Sequence, residues 1–409
     1  MTSMIDFSKL YSAAVPAVPS PKWAPFPPYY FVGGNNDPEE IPVEGLIKAA
    51  ESVLRREGSK LAIYNLGLGT QGYPPLRQFV ADKSARHRGI VAPIDDILIT
   101  TGSGQGLDMI SAMLINPGDT ILTEEFCYQG AMNRFRKLGA KLEGMKLDED
   151  GIVIEALAAQ LADLKSRGIT PKFIYTIPTI QNPTASILPL DRRHALIKLA
   201  REYNVAIFED ECYADLIWDG IEAPPALYAL DPGCVIHIGS FSKCLAPALR
   251  LGYLIAPWEL MSRLIPLKGD SGTGALDQMV VAEYFSQNFD THMNHLNGIL
   301  HDKLKTMVEA VEREFGTAAE CWAPKGGIFL WIKLPDSIDV RKLLKPAADA
   351  GIVFNEGPAW AVSPDNSSSH LRLCFAMPSK QTIRDGVAAF AQVCYEQTGI
   401  PVRSANVQR

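Results

Sequence analysis

The chain has 409 residues, 47% of them hydrophobic and 21% charged, enough to bury a large core and to divide into two domains. Its formal net charge of −7 and the lack of a long basic stripe exclude a general nucleic-acid surface, while a local basic pocket for an anion stays open. No run reaches the ~18 apolar residues of a membrane span, no apolar run follows a basic head at the N-terminus, and the seven cysteines include no C-x-x-C pair; these features read as a protein of the reducing cytoplasm.

Residues 1–40 are rich in proline and aromatics, among them Pro16, Pro19, Pro21, Trp23, Phe26, Tyr29 and Tyr30. They predict an extended arm, either inert packing or a lid over a pocket. From about 95 to 257, short β-branched runs at 97–100, 120–123, 173–177, 205–208 and 235–238 alternate with helical patterns, the rhythm of an open, mostly parallel α/β sheet. The clearest helix covers 191–203, with Ala195, Leu196, Leu199, Ala200 and Tyr203 on one face. After about 285 a charged amphipathic helix over 292–315, a strand near 327–332, a further helix and a strand at 371–375 predict a smaller α+β domain. The expected division is an arm at 1–40, a large domain at 41–285 whose first part is shared with the small one, and a small domain at 286–409. The Ser/Pro stretch 363–369 reads as a mobile loop. His292, His295 and His301 lie on the charged helix without Cys or carboxylate in ligand register, so they read as solvated and no metal site is expected.

The polar groups of interest follow strands. The run 97–100 leads into Thr101-Gly102-Ser103-Gly104-Gln105-Gly106 and a helix, a turn that presents free backbone N–H groups to an anion. A dinucleotide site is the rival, but the third glycine of G-x-G-x-x-G is Leu107, and a tight turn without ligand is a third reading. Ser240-Phe241-Ser242-Lys243, with Arg250 seven residues on, sets a primary amine beside hydroxyls and a guanidinium. Those groups suit pyridoxal phosphate (PLP), an aldehyde held by one lysine whose phosphate needs a grip. Asp210 follows an apolar strand and would either cap a helix or keep a pyridine nitrogen protonated. Asn182, in Gln181-Asn182-Pro183-Thr184, ends another strand in a turn, where its amide could donate to the phenolate oxygen of PLP.

Taken in order, Asn182, Asp210, Lys243 and Arg250, spaced 28, 33 and 7 apart, resemble the fold-type I PLP enzymes, specifically the class I/II aminotransferases. The wording of 181–184 and of the Tyr-Pro-Pro-Leu-Arg stretch leans toward the 2-aminoadipate/kynurenine-like branch, and the resemblance spans nearly the whole chain. It implies an α/β fold with a large, mostly parallel sheet plus a smaller α+β domain, and a homodimer in which Tyr64 reaches the partner's phosphate. It further implies that Ser103, Gly104 and Gln105 form a phosphate loop, that Ser240, Ser242 and Arg250 form a second phosphate grip, and that Tyr128 stacks on the ring. Tyr213 would donate to the phenolate oxygen, Gly33 and Gly34 would line the substrate pocket, and Arg372 would bind the substrate α-carboxylate. The implied reaction moves the amino group of a 2-amino acid to a 2-oxo acid through an internal aldimine and pyridoxamine phosphate. A PLP lyase or decarboxylase on the same scaffold is the alternative, and a non-catalytic ligand sensor is opposed by the intact set of Lys243, Asp210 and Arg372. The chain departs from the family at Ala185 and Ala248, where glycine is usual, and an alanine needing φ > 0 there would reshape the pocket.

Overall fold

The five β-branched runs all enter one seven-stranded sheet because, lacking alternation, they must be covered on both faces. A computed structural model describes residues 5–12, 15 and 18–402; Pro16 of the expected arm lies outside them. The strands are β1 (Ile97–Thr101), β2 (Thr120–Glu124), β3 (Lys141–Met145), β4 (Phe173–Thr176), β5 (Ala206–Asp210), β6 (Val235–Ser240) and β7 (Leu251–Ile255). Their spatial order is β1-β7-β6-β5-β4-β2-β3. All pairings are parallel except those of β7, which runs antiparallel to β1 and β6. Helices Gly102–Leu114 and Leu190–Tyr203 lie among those that connect the strands. The second begins after Pro189 and stops at Asn204, whose φ of 54° cannot continue a right-handed helix.

The amphipathic pattern near 292–315 belongs to a longer helix, Ala275–Phe315, whose 41 residues run through the expected boundary at 285. It packs against helices Val43–Glu57, Pro74–Arg88 and Lys380–Thr398. The expectation of solvated histidines fails at His292. It sits on the inward face of this helix, buried, with Nε2 2.6 Å from the Cys244 carbonyl and Nδ1 3.2 Å from the Tyr284 hydroxyl. His295 pairs with Glu40, and His301 stacks on Trp218.

A second sheet contains β8 (Glu320–Cys321), β9 (Phe329–Lys333), β10 (Asn355–Glu356) and β11 (His370–Cys374), in the order β8-β9-β11-β10 and antiparallel throughout. The end of the N-terminal arm is stitched to this region. Tyr29–Tyr30 pairs with Ile352–Val353, and the Cys374 amide donates to the Phe31 carbonyl at 2.9 Å, which carries Gly33 and Gly34 toward the large sheet. The stretch 363–369 is tied down rather than loose: Ser363 N donates to Glu125 Oε1 at 3.0 Å, Leu334 N to the Ser369 carbonyl at 2.9 Å and Val340 N to the Ser368 carbonyl at 2.8 Å. Among the described residues no helix is long and apolar enough to cross a membrane.

Candidate active site

Because β1, β4, β5 and β6 point the same way, the residues that follow them gather at one edge of the sheet, the usual place for a ligand in an open α/β fold. There a cleft of about 430 Å³ is lined by Ser103, Gly104, Tyr128, Asn182, Asp210, Tyr213, Ser240, Ser242, Lys243 and Arg250 from the large sheet's connections. Gly33 and Gly34 enter from the arm, Phe329, Asn355 and Arg372 from the second sheet, and Trp360 from the short turn Gly357–Trp360 that follows β10. All sequence-predicted site residues but two therefore meet in one place. Tyr64 is 88% exposed and lies outside its own chain's cleft. Gln105 turns away: its Oε1 accepts from Lys268 Nζ at 2.7 Å and from its near neighbour Thr101 N at 2.8 Å, while its Nε2 donates to Asp270 Oδ2 at 2.7 Å. The Lys268–Asp270 pair thus satisfies the Gln105 side chain, and only the backbone of residue 105 remains to serve the expected phosphate loop.

Lys243 extends from the turn after β6 and donates from Nζ to the Gly34 carbonyl at 2.7 Å. A side chain at position 34 would collide with this amine, so the glycine is what lets the arm close over it. Burial lowers the pKa of Lys243, raising the share of neutral amine near pH 7. Asp210, at the end of β5, accepts from the Tyr175 hydroxyl at 2.7 Å and from Cys212 N at 3.2 Å. Burial raises its pKa, the opposite of what its hydrogen bonds do. Asn182 offers Nδ2 to the Tyr213 hydroxyl at 3.4 Å, and its Oδ1 accepts from Arg372 Nη1 at 2.7 Å. Ser242 N donates to Ser240 Oγ at 3.1 Å, which shapes the turn ahead of Lys243. Arg250 adopts φ 53° and packs its guanidinium on Gly102.

Arg372 is the least expected environment for a cation. Its guanidinium carbon lies 3.7 Å from the centroids of both Phe329 and Trp360. Nη1 and Nη2 donate to the amide oxygens of Asn182 and Asn355, each at 2.7 Å, and Nε is buried with no partner among the described residues. Burial pulls its pKa down to about 10. A buried guanidinium held by neutral amides, with one donor unused, fits an incoming carboxylate.

Sequence reading missed several supports. Asn355 and Trp360 fix Arg372, yet they lie on segments without a motif. The loop carrying Asn182 is braced by Glu124, which accepts from Thr176 Oγ1 at 2.6 Å, Ile177 N at 3.2 Å and Gln181 Nε2 at 2.9 Å. It is braced again by fully buried Arg193, which donates to the Pro178 carbonyl at 2.9 Å and to Thr179 Oγ1 at 2.8 Å. Cys212 and Arg134 also line the cleft. Of the two departures from glycine, Ala185 has φ 60°, whereas Ala248 is exposed in a turn with ordinary backbone.

The donor set fits PLP: an amine at Lys243, a carboxylate at Asp210, hydroxyl and amide donors at Tyr213 and Asn182, and hydroxyls at Ser103, Ser240 and Ser242 with a guanidinium at Arg250. The model of the family described as "Aminotransferase class I and II" matches residues 33–390. The chain belongs to that family. This aminotransferase is 32% identical to the 2-aminoadipate transaminase of Thermus thermophilus, over 87% of each chain. It is 30% identical to aromatic-amino-acid aminotransferase 1 of Thermococcus litoralis, over 89% of this chain and 87% of that one. Its fold superposes with a TM-score of 0.82 on the α-aminoadipate aminotransferase of Thermus thermophilus complexed with N-(5'-phosphopyridoxyl)-L-leucine, at 31% identity and covering 90% of this chain and 92% of that one. The aminotransferase thus uses PLP to exchange an amino group between an amino acid and a 2-oxo acid.

Proposed function

We propose that Lys243 is the residue that carries PLP and moves the α-proton, and that Arg372 selects amino acids by holding the α-carboxylate. PLP, when bound, supplies an aldehyde carbon that accepts the substrate amine and a protonated ring that takes up the electron pair released at the α-carbon. Lys243, half-buried in the cleft and shifted by desolvation toward its neutral form, is suited to take the α-proton and return it. Asp210 would hold the ring N–H, and a cation there favours its carboxylate form against the effect of burial; Tyr175 and Cys212 N keep it oriented. Asn182 and Tyr213 would donate to the phenolate oxygen, Tyr128 would stack on the ring, and Ser103, Gly104, Ser240, Ser242 and Arg250 would hold the phosphate.

The observation that carries the reading is the environment of Arg372: a buried cation without an acidic partner among the described residues, hydrogen-bonded to Asn182, the side chain that also meets Tyr213. The names of the similar enzymes support donors such as 2-aminoadipate, aromatic amino acids and kynurenine. A donor panel with 2-oxoglutarate tests this. The expected outcome is one 2-oxo acid formed per new amino acid; release of free ammonia instead would assign the protein to elimination chemistry. Borohydride reduction of the holoenzyme should place the pyridoxyl group on Lys243, and a label on another lysine would remove its role. We further propose a homodimer, supported by the exposed Leu61, Ile63, Tyr64 and Leu68, with Tyr64 serving the partner's site. Light scattering tests it. A cytoplasmic location is supported by seven cysteines, all free thiols.

A further inference from the structure

One guanidinium in the cleft has no part in the roles above. Arg134, on helix Gln129–Lys137, lines the cleft beside the Ser103–Gly104 turn. Its Nε donates to Asp108 Oδ1 at 2.9 Å and its Nη1 to the Gly130 carbonyl at 2.8 Å, so two bonds fix the plane of the group. Nη2 makes no hydrogen bond among the described residues. It lies 2.9 Å from the point where a Cβ on residue 104 would sit, and that position is glycine. Any larger side chain at 104 would push the guanidinium away; the bare backbone lets a donor approach the first turn of helix Gly102–Leu114, whose N–H groups have no intrahelical partners. The bland alternative is a surface ion pair with Asp108, whose side chain is 63% exposed. Such a pair contributes little, and it requires neither the second bond to Gly130 nor the missing side chain at 104.

We propose that Arg134 is a further phosphate-binding residue of this enzyme, its Nη2 donating to the PLP phosphate over Gly104 in addition to Arg250 and the serines. This rests on the cofactor reading, and it gives Gly104 a specific role, to leave room for the guanidinium. The test is equilibrium titration of the apoprotein with PLP and with pyridoxal, which lacks the phosphate, followed by absorbance. Arg134→Gln should weaken PLP roughly tenfold to a hundredfold, the range for a charge-assisted hydrogen bond. Pyridoxal affinity and the melting temperature of the apoprotein should stay at wild-type values. Gly104→Ala should weaken PLP by a similar factor, and the double variant should bind no more weakly than the worse single one, because both remove the same contact. Wild-type PLP affinity in Arg134→Gln would overturn the assignment, as would equal losses for PLP and pyridoxal or fully additive losses in the double variant. A wild-type protein that binds neither compound would overturn the cofactor reading and this assignment with it.

Discussion

Replacing Arg372 by methionine should separate what this residue does for binding from what it does for folding. Held at a pKa of about 10, the guanidinium carries a burial cost of about 3 kcal/mol at 1.36 kcal/mol per pKa unit. Because the folded-state value lies below the unfolded one, the unfolded chain holds the extra proton between about pH 10 and the pKa of a free guanidinium. The penalty is therefore present in full below about pH 10 and is relieved only as pH rises through that window. Against it stand the two hydrogen bonds to Asn182 and Asn355, worth about 1.5–3 kcal/mol each for a charged donor. Methionine keeps contact with Phe329 and Trp360. The net loss of stability is then expected to stay below about 3 kcal/mol. Binding should suffer more reliably, by roughly 2–4 kcal/mol, as when one partner of a desolvated charge pair is lost, or about 30- to 900-fold in Kd. The assay titrates the holoenzyme with tyrosine and with tyramine, which lacks the carboxylate. Arg372→Met should erase the preference for tyrosine while leaving tyramine and PLP binding unchanged. A variant that still prefers tyrosine by the wild-type factor would show that the carboxylate is held elsewhere and that the free Nε of Arg372 does not mark its site.

Asp210→Ala should retain PLP but lose transamination by several orders of magnitude, more than ~4 kcal/mol in the barrier; activity within tenfold would reduce Asp210 to a cap on Cys212 N. Glu124, raised by burial from 4.5 to about 7, binds more protons in the folded state between those values, so its contribution is present in full below pH 4.5 and is lost as pH rises through 7. Unfolding free energy from denaturant titrations should therefore fall more steeply with pH for wild type than for Glu124→Gln between pH 5 and 8, by up to about 3 kcal/mol, and parallel curves would mean that its hydrogen bonds outweigh burial. Ala185→Gly should match or exceed wild-type stability in denaturant unfolding, since relief of a left-handed alanine, about 1 kcal/mol, offsets glycine's greater unfolded-state entropy; a loss of about 1 kcal/mol would show that the Ala185 methyl's packing matters more than its φ.

Local sequence determined which residues stand at strand ends. Alternation of β-branched runs with turn residues depends on near neighbours alone, so β1, β4, β5 and β6 were legible, and with them the polar groups that follow each: Ser103, Asn182, Asp210, Ser242 and Lys243. The parallel direction of those strands then explains why residues 28 and 33 positions apart line one cleft. Tertiary structure alone decided what covers a given face or accepts a given side chain. Helical period put His292 among charged residues but could not show that the Cys244 carbonyl, 48 positions away, waits on its inward side. Nothing near Gln105 in sequence announces Lys268 and Asp270, which turn its amide from the cleft. The same holds for Asn355 and Trp360 around Arg372, and for the carbonyl and amide anchors of 363–369. Arg134 reaches Gly104 only because β2 and the helix after it return the chain to the first turn beyond β1, a closure of distant segments that no local pattern encodes.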